Sequence, residues 1–147
     1  MSGLDEELER RLAAARVELE EVERAREERS ADAAKLAKVE AVERELSDTK
    51  AIAAAEADLG VGKFAIVRTE LGAVIVRRPN HMHYRRFINL KDPGSDDAMR
   101  LVLTCLVHPA RAAFEVLADE LPGVPILAAG AVVDLASGRR VEVEGKS

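Results

Sequence analysis

The first 58 residues contain no proline and one glycine, Gly3. All five prolines and the other eight glycines lie from Gly60 onward. The chain has one cysteine, which excludes an intrachain disulfide and leaves no cysteine-based zinc site. Tryptophan is absent, and one tyrosine and three phenylalanines leave few rings for stacking on bases or sugars. Basic charge is also short. Twenty-two Lys and Arg against 27 Asp and Glu give a net charge of -5, opposite to the usual bias of nucleic-acid binders. The opening residues Met1–Glu7 are acidic and lack the apolar core of a secretion signal. The longest apolar stretches, Leu101–Val107 and Ile126–Val133, fall short of the roughly 20 residues that cross a bilayer. A protein of a reducing compartment, outside the membrane, is the expectation.

Residues 1–58 are rich in Ala, Glu, Arg, Leu and Lys, the strongest helix formers. This segment holds 17 acids against 10 bases, whereas residues 59–147 hold 10 against 12. Leu8, Leu12, Ala15, Leu19 and Val22 recur at alternating steps of four and three, which places them on one stripe of a helix. Arg26 and Arg29 interrupt the stripe, and apolar residues resume at Leu36, Val39, Val42 and Leu46. Glu6–Arg10, Glu7–Arg11, Glu20–Arg24 and Glu40–Arg44 are i,i+4 pairs with the acid first, the better orientation. Ser30-Ala31-Asp32 either kinks the helix or starts a second one. Read as one helix, the segment is about 80 Å long. Its apolar stripe must be covered by another copy, by the chain folding back, or by a partner. Two readings stand: a solvated helix that only dimerises the protein, or a docking surface for a specific helical client.

The remainder reads as a small α+β unit, so the fold class is mostly α, with a β-hairpin and about four short helices after the long coiled-coil-like helix. Phe64, Ile66 and Val67 form one β-favouring run and Val74-Ile75-Val76 another, with the turn at Glu70-Leu71-Gly72. Helices are expected over Asn80–Leu90, then from an N-cap at Ser95 through Val107. A third starts with Pro109 at its first turn, and the last runs from Pro125 to a Gly138 cap. The domain reading is 1–58 helix, 59–62 glycine hinge, 63–138 compact unit and 139–147 mobile tail.

No motif for catalysis stands out. His81 and His83 are two apart and point to different sides of a helix, unlike an i,i+4 metal pair. His108 reads as a helix-boundary residue. Cys105, among Leu103, Leu106 and Val107, reads as a small buried hydrophobe. Gly60-Val61-Gly62-Lys63 lacks the earlier glycine and the Ser/Thr of a phosphate loop and reads as a hinge. Arg77, Arg78, His81, His83, Arg85 and Arg86 form a basic run, with no acid between Glu70 and Asp92. That run is a solvated surface, a site for an acidic protein such as the long helix, or a nucleic-acid contact.

The order of these features resembles the small tail assembly chaperones of long-tailed bacteriophages, over residues 63–138. The likeness rests on the hairpin leading into Val76-Arg77-Arg78-Pro79-Asn80 and on Tyr84-Arg85-Arg86-Phe87. It continues through Cys105-Leu106-Val107-His108-Pro109, Phe114-Glu115-Val116-Leu117 and Leu121-Pro122-Gly123, before a final apolar helix. The resemblance implies a non-enzymatic assembly factor without cofactor or catalytic residues, acting in the cytoplasm of a bacterial host. Its implied partners are a helical tape-measure-like protein, tail-tube subunits and further copies of itself. Candidate protein-binding residues are Leu8, Leu12, Leu19 and Val22 on the long helix. In the compact region they are Arg77, Arg78, Tyr84, Arg85, Arg86 and Phe87, as contacts or as structural anchors. The arm over residues 1–58 is not part of that family's pattern. It suits a client-binding or self-associating extension, or a structural or adaptor component of a tail particle that multimerises through its coiled coil.

Overall fold

The computed structural model describes residues 3–138 and 142–144. The elements in chain order are α1 (Gly3–Asp58), β1 (Phe64–Thr69), β2 (Gly72–Arg77), α2 (His81–Ile88), α3 (Ser95–Cys105), β3 (Leu106–His108), α4 (Arg111–Glu120), α5 (Val124–Ala136) and β4 (Glu142–Glu144). The chain divides into two units, Met1–Glu43 and Arg44–Ser147, with the boundary inside α1.

The first unit is helix alone. No break occurs at Ser30–Asp32, because α1 has no Pro, its one Gly is its first residue, and the residues around Ser30 tolerate a helical backbone. Every described side chain up to Glu43 is exposed. Of the expected acid-first pairs here, Glu7 and Arg11 meet at 3.0 Å. Arg10 instead donates from Nε to the Glu6 carbonyl. At about 100° per residue, Val39 and Val42 project from roughly the opposite side of the helix to Leu8, Leu12, Leu19 and Val22, while Leu36 falls beside Val22. One partner helix therefore cannot cover both sets.

The second unit is built on a four-stranded sheet in the order β3-β2-β1-β4. The strands β1 and β2 pair antiparallel, from Phe64 opposite Arg77 to Thr69 opposite Gly72, so Glu70 and Leu71 make a two-residue turn. Gly72 has φ +122°, a conformation that suits glycine, and the Asp48 carboxylate lies only 3.3 Å from where a β-carbon would stand. Thr69 Oγ1 donates to the Gly72 carbonyl and accepts from the Leu71 N–H.

Side chains alternate across this hairpin, and both faces are covered. Ala65, Val67, Val74 and Val76 join Val102, Phe114, Val132 and Leu135 in the main core. Ile66, Ala73 and Ile75 face the other way, onto Ala51, Ile52 and Ala55 of α1. Burial on both faces explains why β1 and β2 read as continuous apolar runs.

This packing corrects the domain boundary expected at residues 59–62. The last four turns of α1 are part of the compact unit, because Ala55 is buried beneath the sheet. Gly60 and Gly62, both at φ +88°, form the tight connection from α1 into β1 inside that unit. They do not separate two bodies.

Four further differences follow from backbone demands. The helix expected to run through Val107 stops at Cys105, and Leu106–His108 become β3, which pairs antiparallel with β2. An open β2 edge holds a row of unpaired N–H and C=O groups, and pairing satisfies them. Pro109 precedes α4, whose N-cap is Ala110, so proline is not in that helix's first turn. The cap of α3 is Gly94, whose N–H donates to Asp97 Oδ2, and Ser95 is already helical. Within the stretch read as a mobile tail, Glu142–Glu144 pair parallel with Ile66–Arg68 of β1. The rest of 139–147 lies outside the described residues. Pro125 opens α5 as expected, and Gly138, at φ +82°, follows the Ser137 C-cap.

Phe114 is the largest fully buried side chain. Phe114→Ala is expected to cost about 3–5 kcal/mol of unfolding free energy. Val116→Ala, two residues on and exposed on the opposite face of α4, is expected to stay within about 0.5 kcal/mol. Urea titrations followed by circular dichroism measure both.

Candidate functional site

Three places on the molecule bring chemistry-bearing side chains together. On α1, Leu8, Leu12, Leu19 and Val22 are 51%, 52%, 58% and 46% exposed. Four large apolar side chains held at coiled-coil spacing on a polar helix form a seam that a second helix fits.

The second place is a groove of ≈ 220 Å³ between α2 and α3. Asn80 Oδ1 accepts from the Met82 N–H and starts α2. Phe87 then packs against the main core. The groove has an apolar floor of Phe87, Leu90 and Leu101 and a rim carrying His83, Arg86 and Arg100. Of the predicted residues, Arg86 and Phe87 meet here. Tyr84 is half-buried on the same helix, and Arg85 is exposed. Arg77 lines a separate hollow of ≈ 510 Å³ beside Ala55, Asp58 and Leu106, while Arg78 is exposed in the connection to α2. Arg77 and Arg86 thus line different hollows. Arg100, fourteen residues beyond Arg86, completes the groove. Only the packing of α3 on α2 brings it there.

The third place was not visible in the sequence. Asp48 of α1 and His108 of β3 lie 2.8 Å apart, Oδ1 to Nε2, with side chains 18% and 17% exposed. Asp48 Oδ2 accepts from the Ala73 N–H at 2.9 Å. An ionised carboxylate only accepts, so Nε2 is the donor to Oδ1. One carboxylate therefore fastens α1 to both β2 and β3. The pair borders an open groove of ≈ 480 Å³, with Leu71, Pro109 and Val116 on its apolar wall. Both Asp48 oxygens are engaged, so the arrangement suits a clamp. Sixty residues separate the partners, and no local spacing announces them.

Cys105 is buried, and burial pushes its thiol pKa up. The Thr104 side chain and the Arg77 charge pull the other way and are the smaller effects. The thiolate is the nucleophile, so this side chain is held in its inert form. Among the described residues, no three His, Cys, Asp or Glu side chains converge as a metal site. No described helix is long and apolar enough to cross a membrane.

Asp48→Ala leaves the Ala73 N–H and the His108 ring without their acceptor. It is expected to lower stability by about 1–3 kcal/mol in urea unfolding. Cys105 should react slowly with an alkylating reagent at neutral pH in the folded protein and quickly in denaturant, with mass spectrometry as the readout. No family model matches this chain, and comparison with curated proteins and with solved structures gives no match.

Proposed function

We propose that the chain is a non-enzymatic assembly factor of the tail assembly chaperone type. In this reading α1 lies along a helical, tape-measure-like client and covers its apolar stripe, and the compact unit recruits tail-tube subunits. The observation that supports it is the exposed seam of Leu8, Leu12, Leu19 and Val22. Burial gains roughly 25 cal/mol per Å² of apolar surface. Four half-exposed side chains therefore contribute on the order of a few kcal/mol before the cost of ordering two chains. Such contacts are individually weak, and repetition along a long client raises the total through effective concentration. The setting is the cytoplasm of a bacterial host.

A second reading, a structural or adaptor component that multimerises through α1, is favoured by the 3.5-residue repeat flanked by the Glu7–Arg11 pair. Finished particles separate the two. A chaperone is absent from them, and a component is present at fixed stoichiometry.

The direct test is co-expression with a long helical, tape-measure-like protein taken from beside this chain's own coding sequence. The client should be soluble and co-purify with the wild-type chain. With Leu12→Glu and Leu19→Glu together, recovery should drop at least about tenfold, because two charges replace the centre of the seam. A client equally soluble with and without this protein defeats the chaperone reading.

A further inference from the structure

We infer that the α2–α3 groove receives the Val17–Glu23 segment of α1 from a second copy of this chain, joining copies head to tail. The groove offers an apolar floor, Phe87, Leu90 and Leu101, framed by His83, Arg86 and Arg100. Its one carboxylate, Asp97, already accepts from the Gly94 N–H. The chain from Leu71 to Lys91 contains no acid. The site therefore asks for a short apolar ridge with negative charge on both flanks.

Val17-Glu18-Leu19-Glu20-Glu21-Val22-Glu23 has that form. It holds four glutamates and three apolar residues with no base, and all seven are exposed. Leu19 and Val22, three apart, share one side of the helix. Glu18 and Glu23 project on either side of that ridge, at about 100° per residue. Leu19 and Val22 then meet the floor, while Glu18 and Glu23 meet the cationic rim. Arg favours such carboxylate contacts through its planar fork of donors.

Groove and ridge are different surfaces, so the contact is heterologous and each copy carries one of each. Repetition gives a ring or an open chain. The contact uses Leu19 and Val22, which also belong to the client-binding seam, so a second copy and a client compete for α1. The inference itself does not require the client, since the groove and the ridge both belong to this chain.

The experiment uses full-length protein in sedimentation velocity over a range of concentrations and salt. Wild type should self-associate, and association should weaken as salt screens the charges. Arg86→Glu with Arg100→Glu should lower the association constant at least about tenfold, and so should Glu18→Lys with Glu23→Lys. An equimolar mixture of the two double variants should associate again, because each reversed surface then meets its complement. Recovery on mixing also shows that both variants are folded, and all four side chains are exposed. A wild-type chain that stays monomeric at high concentration overturns the inference. So does a mixture that fails to recover. Undiminished association of the Arg86→Glu/Arg100→Glu variant also overturns it and places the contact along α1 alone. A client that does not co-purify leaves these sedimentation results unchanged, so the two proposals fail separately.

Discussion

The β1–β2 hairpin is apolar on both faces, and a two-stranded ribbon cannot bury either face by itself. Each face needs a cover, and the rest of the compact unit supplies them. On one side α3, α4 and α5 contribute Val102, Phe114, Val132 and Leu135. On the other side the cover is the end of α1, through Ala51, Ile52 and Ala55. Small residues there let helix and sheet approach closely, and the Asp48 carboxylate sits over Gly72, where a β-carbon would crowd it at 3.3 Å. The same carboxylate takes the Ala73 N–H and the His108 ring, so one side chain locks the helix across two strands. The pairing of β3 covers the edge of β2 at Ile75 and Val76.

Beyond Arg44 in the N-terminal direction, α1 has no such cover, and its leucines face solvent. Leu8, Leu12, Leu19 and Val22 project from one side of this unit and Val39 and Val42 from roughly the other. A helix with two uncovered apolar sides can take partners on both. Charge then sorts the partners. The Val17–Glu23 stretch is acidic and the groove rim is basic, so the two surfaces are complementary in sign while each repels its own kind.

The residues differ in how far they disclosed their roles. The helix over 3–58 followed from composition, and the hairpin followed from two β-favouring runs around Gly72. Four short helices after the hairpin were also legible, with Pro125 and Gly138 marking the last of them. Leu106 and Val107 misled, because they continue an apolar helical period yet sit beside a sheet edge that claims them. Arg77 and Arg86 misled in another way. Nine residues apart, they look like one cluster, but a strand end and a helix place them at separate hollows.

The sequence by itself determined what depends on neighbours within a turn or two: helix propensity, apolar periodicity, the glycine turn and the exposed seam of α1. Tertiary structure decided what depends on groups far apart in the chain. It recruited the end of α1 into the compact unit, turned Leu106–His108 into a strand, joined Asp48 to His108 and set Arg100 beside Arg86. The physical reason is that burial of the sheet's second face and satisfaction of its edge are requirements of the assembled sheet. No short window of residues contains them.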